Sequence, residues 1–185
     1  MAQVQTNVIN LLRSGGVGIL PTDTLYGLVG RALDEGAVER IYKLKNRHSD
    51  KPLIVLIGAK NDLELFGIAL GEKTEKFLDS VWPGPVSVIL PAPLAPVHLL
   101  RGGRTLAFRL PNKSDLRAII KEVGPLVAPS ANPEGLPPAR NITEAGKYFG
   151  EKVGFYIDGG ELSGPPSTLV YFKNDQPKIL RGDLG

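Results

Sequence analysis

The chain has 185 residues, of which 42% are hydrophobic and 22% charged. These values are close to the globular average and exclude a disordered chain, and the length predicts one domain over residues 1–185. Cysteine is absent and the two histidines, His48 and His98, lie far apart. This excludes a disulfide framework, a thiol nucleophile and an HExxH metal motif, so we expect no metal held by the protein itself.

The N-terminal segment carries no basic leader with a long apolar run, and no run of about 18 apolar residues occurs anywhere. We therefore expect a cytoplasmic protein without a signal peptide or a membrane contact. The net charge is +3. Residues 40–51 hold five basic and one acidic residue, residues 101–121 hold six and one, and the remainder is net negative. Two basic segments on an otherwise acidic chain favour an anionic ligand, although solvated helix faces and loops are the alternative.

Apolar periodicity predicts alternating helices and strands. The predicted helices are 2–14, 34–45 with Asp34 as N-cap, 62–66, 72–81, 115–123 capped by Ser114, and 143–149. The predicted strands are 17–20, 53–57, 86–90, 105–110, 126–129, 155–157, 168–172 and 178–180. Alternation of this kind predicts an α/β fold, and the short strands crowded late in the chain favour a mixed sheet.

The common nucleotide-binding and hydrolase motifs are missing. The glycines of residues 15–18 precede the first strand, and Pro21 stands at the last glycine position, so the dinucleotide fingerprint fails. GxxxxGK[ST] and GxSxG do not occur. A nucleotide would therefore have to be bound by a different motif.

Polar side chains follow two predicted strands. Thr22, Asp23 and Thr24 come after strand 17–20, and Ser130 and Asn132 follow the strand that begins at 126. Ligands of open α/β sheets gather beyond the carboxyl ends of strands, so both places are candidate binding sites. The alternative at each place is a turn capped by its own side chains.

Two groups of cations are candidates for holding anions. Lys45 and Arg47 lie at and beyond a helix end, where they could converge on a polyanion, although basic residues also favour helix C-termini. We interpret both as part of a polar loop, so we expect substitution by alanine to leave the stability of the fold nearly unchanged. Arg109 shares a strand face with Thr105, and a charged side chain among apolar ones needs an anion or a structural carboxylate partner.

The motifs in their order resemble the YrdC-like family of threonylcarbamoyl-AMP synthases, in its short single-domain form. The resemblance covers about residues 15–182 and rests on PTDTLYGL (21–28), KNR (45–47) followed by KPL (51–53), WPGPVSVIL (82–90), TLAFRLP (105–111), APSAN (128–132), PST (166–168) and LRG (180–182). It implies a twisted mixed sheet with helices on its faces and a basic concave groove. It also implies a nucleotidyltransferase that makes L-threonylcarbamoyladenylate and pyrophosphate from L-threonine, bicarbonate and ATP. The product would pass to the machinery that builds N6-threonylcarbamoyladenosine in tRNA.

The resemblance also implies roles for individual residues. The catalytic set would be Lys45, Arg47, Ser130 and Asn132. ATP would contact Arg47, Lys51, Thr105, Ser130, Asn132 and Arg181, and L-threonine would contact Thr24, Arg109 and Ser167. The chain departs from patterns seen in some members at Lys51, Leu56, Ala128 and Pro138.

Adenylyl transfer needs positioning and charge neutralisation more than a covalent nucleophile, which fits this set. Mg²⁺ would arrive with ATP, held mainly by phosphates and waters. One alternative is a module that binds double-stranded RNA or tRNA on the same basic groove, but aromatic residues make up only 6% and no RNA-recognition signature occurs. Another is the same fold acting on an acceptor other than threonine.

Overall fold

The computed structural model describes residues 2–173 and 176–184, with side chains from residue 5 onward. The helices are α1 (Ala2–Arg13), α2 (Glu35–Lys45), α3 (Glu72–Val81), α4 (Val97–Leu100), α5 (Ser114–Val123) and α6 (Ile142–Phe149), with 3-10 turns at Lys60–Phe66 and Gly150–Lys152. The strands are β1 (Gly18–Pro21), β2 (Tyr26–Arg31), β3 (Ile54–Leu56), β4 (Val86–Pro91), β5 (Thr105–Arg109), β6 (Leu126–Val127), β7 (Phe155–Tyr156), β8 (Thr168–Lys173) and β9 (Gln176–Arg181).

Within the described residues the strands form one sheet in the order β7-β1-β2-β6-β3-β5-β4-β8-β9. The pairs β1–β7, β3–β5 and β4–β8 are parallel, and the other neighbours are antiparallel. The predicted mixed α/β sheet is therefore confirmed. The assignment of residues 1–185 to one domain stays a prediction.

Successive strand residues pack into two different apolar cores, because side chains alternate across a sheet. Ile19, Leu28 and Val55 join the core that includes α2. Their neighbours in sequence, Leu20, Val29 and Leu56, join the core built with α1 and α5. The central strands are thus covered by helices on both faces, as predicted, and their near-continuous apolar runs follow from that double burial.

The secondary structure differs from the prediction in one assigned cap and in two elements that were not predicted. Ser114 is the first residue of α5 rather than its cap, and the N-cap residue Lys113 makes no side-chain capping bond. Strand β2 was not predicted, because the polar start of PTDTLYGL conceals a buried strand that forms a hairpin with β1. Helix α4 was also missed, since its four residues are too few to show a helical period. The cap at Asp34 is confirmed, with its side chain accepting from the Ala37 N–H.

No helix in the part of the chain that the structure describes combines the length and the apolar character needed to cross a membrane.

Candidate active site

A cavity of about 600 Å³ lies where the turn after β1, strand β5 and the segments around residues 130 and 167 meet. Seven predicted site residues line it: Thr24, Arg47, Thr105, Arg109, Ser130, Ser167 and Arg181. The three others, Lys45, Lys51 and Asn132, stand outside the lining. Residues separated by more than 150 positions in sequence therefore converge on one concave site, while their roles stay predictions.

Arg109 is almost completely buried, at 4% exposure, and yet borders the cavity. Its two terminal nitrogens donate to the hydroxyls of Thr24 at 3.2 Å and Thr22 at 3.3 Å. Asp23 Oδ1 lies 3.3 Å from Nη2, and Nε has no partner among the described residues. Burial lowers the pKa of Arg109 from its ordinary value, the charge of Asp23 opposes that shift and the charge of Arg181 adds to it. The guanidinium thus has a structural partner and retains donor capacity.

The turn after β1 fits both interpretations of its sequence, because it is capped by its own side chains and also borders the cavity. Thr22 Oγ1 accepts from the N–H of Leu25 and donates to the Leu25 carbonyl at 2.7 Å, as in a self-capped turn. Asp23 uses Oδ2 to accept from the Asn112 N–H at 2.9 Å, which ties the turn to the segment after β5. The capped turn therefore holds Thr24 and Arg109 at the cavity.

At another part of the wall, Arg181 is anchored to the residue before β8. Its Nε and Nη2 donate to the Ser167 carbonyl at 3.2 and 2.9 Å. The Ser167 hydroxyl lies 2.9 Å from that of Ser87, a fully buried residue of β4. Arg181 is exposed, yet these hydrogen bonds tie its guanidinium to the cavity wall.

Lys45 departs from the expectation of a polar loop. It is the last residue of α2 and is 2% exposed. Its ammonium donates to the carbonyls of Ser130 and Asn132, both at 2.5 Å, and lies 3.5 Å from Asn132 Oδ1. Burial lowers its pKa to about 8, and the charge of Arg47 adds to that effect. Lys45 thus holds the segment after β6 from behind the cavity.

Asn132 completes this support. Its Oδ1 accepts from the Ser130 hydroxyl at 2.6 Å, and its Nδ2 donates to the carbonyls of Pro133 and Leu136. Its polar atoms are engaged within the protein, so Asn132 shapes the segment that presents Ser130.

Arg47 reaches the cavity because the chain turns sharply after α2. Asn46 ends the helix in the left-handed conformation, at φ 49°, which short polar side chains tolerate. Among the described residues, the Arg47 side chain then makes only long hydrogen bonds, to the carbonyls of Lys51 at 3.3 Å and Pro52 at 3.4 Å. It is a weakly tethered cation on the cavity wall.

Lys51 faces Glu134 instead of the cavity, with 2.8 Å between Nζ and Oε1. The same carboxylate accepts from the His48 N–H at 2.9 Å. The hydrogen bond from Lys51 and then that from His48 lower the pKa of Glu134 to about 2. This clamp joins residues 48–51 to the segment after Asn132.

The two basic segments are mostly structural. Among their cations only Arg47 and Arg109 line the cavity. Arg101, for example, pairs with Glu39 at 2.5 Å and stacks 3.9 Å from the Tyr42 ring centre, and Arg117 donates to the Pro111 carbonyl. Solvated or locally paired cations explain most of the charge, and a basic concave groove stays a prediction.

Apart from Lys51, the positions that depart from the family pattern fall in two places. Ala128 and Pro138 line the cavity, whereas Leu56 is fully buried in the core with α5. Ser87 received no role from the sequence, although a hydroxyl inside the apolar run VSVIL could have drawn attention to it. No group of three or more acidic, histidine or cysteine side chains among the described residues could hold a metal ion.

Comparison with known proteins agrees with this architecture. The family model Sua5/yciO/yrdC, described as "Telomere recombination", matches residues 10–182. A threonylcarbamoyl-AMP synthase of Pyrococcus abyssi is 36% identical over 173 residues, which are 92% of this chain and 51% of the relative. One of Idiomarina loihiensis is 35% identical over 91% of this chain and 92% of its own length. The crystal structure of P. abyssi Sua5 complexed with L-threonine superposes with a TM-score of 0.91 at 33% identity, covering 98% of this chain and 54% of that one.

The chain therefore belongs to the Sua5/YciO/YrdC family. It spans about half the length of some curated relatives, such as the P. abyssi enzyme.

Proposed function

We propose that this protein is an L-threonylcarbamoyladenylate synthase, which makes threonylcarbamoyl-AMP and pyrophosphate from L-threonine, bicarbonate and ATP. The observation that carries the proposal is the convergence of Arg109, Thr24 and Ser167 with Arg47, Thr105 and Ser130 on one cavity. Relatives that align with nearly the whole chain are named for this activity, and a similar Sua5 structure contains L-threonine.

The amino acid would lie beside Arg109. A guanidinium presents several N–H donors in a planar fork and suits a carboxylate. Only two of these donors are committed to hydroxyls, those of Thr22 and Thr24. Thr24 and Ser167 add hydroxyls that can bond the remaining polar groups of threonine.

The nucleotide would occupy the rest of the cavity. Arg47 and Arg181 would neutralise phosphate charge, and Thr105 and Ser130 would add hydrogen bonds. Lys45 and Asn132 would act from behind by holding the segment that presents Ser130. In this division Lys51 supports the site through Glu134 rather than touching ATP.

The chemistry needs no covalent nucleophile from the protein. The threonine amine attacks the carbon of bicarbonate, and water leaves to give a carbamate. A carbamate oxygen then attacks the α-phosphorus of ATP, the bond to the bridging oxygen breaks, and pyrophosphate departs. The guanidinium groups of Arg47 and Arg181 would stabilise the charge that develops on the phosphates. We propose that Mg²⁺ accompanies ATP, held by phosphates and waters.

The test is pyrophosphate release by the purified chain, measured with each substrate left out in turn. We expect release to require L-threonine and bicarbonate together, and L-serine, which lacks the methyl group, to serve as the matched amino-acid control. Equal release without threonine would reject the proposal in favour of an unrelated ATPase. Detection of the adenylate by mass spectrometry completes the assignment.

Transfer of the product to a tRNA-modifying partner and a cytoplasmic location belong to the same proposal. Direct binding of tRNA or double-stranded RNA stays a prediction without a specific feature of the structure in its favour.

A further inference from the structure

Ser87 is a buried hydroxyl that the proposed reaction does not use. It lies in β4 between Val86 and Val88, which pack in the core that includes α2, and it is fully buried in a strand whose other residues are all apolar. Burying a hydroxyl without a hydrogen bond is costly, so its one partner decides how it is satisfied. Among the described residues that partner is Ser167 Oγ, at 2.9 Å.

The direction of this bond follows from the inventory of partners. If Ser167 donated to Ser87, the proton of Ser87 would be left buried with no acceptor in the described part of the chain. If Ser87 donates to Ser167, the Ser87 proton has an acceptor, and the proton of Ser167 is free to bond another acceptor. Arg181 supports this arrangement, since its Nη2 also approaches Ser167 Oγ, at 3.4 Å, and can only donate. The Ser167 hydroxyl oxygen therefore accepts hydrogen bonds from Ser87 and Arg181.

The side toward which the free proton of Ser167 can turn is the cavity, because Ser167 belongs to its lining. We propose that Ser87 is a positioning residue that makes Ser167 a hydrogen-bond donor to an oxygen of the bound amino acid. The proposal rests on the proposed function, and it assigns to Ser167 a polarity: it donates to a carboxylate or hydroxyl oxygen and does not accept from the ammonium group.

The first test measures L-threonine binding directly by calorimetry, without ATP turnover. We expect Ser87→Ala to raise the threonine Kd about threefold to tenfold, the range spanned by one neutral hydrogen bond. Ser87→Cys keeps the shape of the side chain at a slightly larger volume and has a weaker donor, so we expect an intermediate loss of threonine affinity. ATP affinity should stay within about twofold in both. Ser80→Ala removes an exposed hydroxyl bonded to the Phe77 carbonyl and serves as the control, with threonine affinity unchanged.

The second test separates positioning from general loosening of β4. In a double-mutant cycle, Ser87→Ala should have no further effect on threonine affinity once Ser167 is alanine, because Ser87 acts through that hydroxyl. Equal losses in both backgrounds would overturn the proposal, as would an unchanged Kd in Ser87→Ala. If the unmodified protein bound no threonine at all, the proposed function would fail first, and melting temperatures of the variants would show whether the fold had survived.

Discussion

Lys45→Ala tests the largest difference between the sequence-based expectation and the structure. The sequence placed Lys45 in a polar loop, where alanine would spare the fold. In the structure its ammonium bonds two carbonyls at 2.5 Å from a position that is 2% exposed. Removing it leaves the carbonyls of Ser130 and Asn132 without a charged donor.

The expected loss of unfolding free energy in Lys45→Ala follows from opposing contributions. Two hydrogen bonds from a charged group are worth about 1.5–3 kcal/mol each, and the three buried methylenes that alanine lacks are worth about 0.8 kcal/mol each. Burial of the charge, which lowers the pKa of Lys45 to about 8, offsets about 3 kcal/mol of this. The net loss of stability is about 2 kcal/mol or more, which corresponds to a fall in Tm of about 4–8 °C or more for a chain of this size.

The assay is urea unfolding followed by circular dichroism, with the melting temperature as a second measure. Arg47→Ala is the matched variant, because Arg47 is only half-buried and its contacts at 3.3 and 3.4 Å are long. We expect it to change stability by about 0.5 kcal/mol or less while lowering activity severely. An unfolding midpoint for Lys45→Ala equal to that of the unmodified protein would refute the reasoning and place the ammonium toward the ligand.

Two further predictions concern charge. We expect Arg109→Lys to raise the KM for L-threonine tenfold or more, because lysine cannot reproduce the two bonds to Thr22 and Thr24 or a bidentate contact with a carboxylate. Calorimetry should show that the affinity for ATP is nearly unchanged. An equal loss of ATP affinity would place Arg109 in the phosphate site. Because the pKa of Glu134 is lowered to about 2, its contribution to stability is complete above its ordinary value of 4.5 and is lost as the pH falls toward 2. Between pH 6 and pH 3 the unfolding midpoint of Glu134→Gln should therefore fall less than that of the unmodified protein, and parallel losses would contradict the clamp.

The sequence by itself determined the α/β class, most element positions and seven of the residues that line the cavity. Apolar runs such as 53–57 read as strands because both faces of the sheet are covered, and Asp34 marked a helix start because its side chain caps the Ala37 N–H. The order of the motifs, through the family resemblance, grouped Arg109, Thr24 and Ser167, and all three line the cavity.

Only the tertiary structure decided which of these side chains face a ligand and which face the protein. Lys45 and Arg47 are two positions apart and of one charge, yet one is buried against carbonyls and the other borders the cavity, because Asn46 turns the chain between them. The partner of Ser87 is 80 positions away, across a parallel pairing of β4 and β8 that no local pattern records. Local periodicity specifies elements, whereas hydrogen-bond partners distant in sequence depend on strand order and register, which form only when the whole sheet assembles.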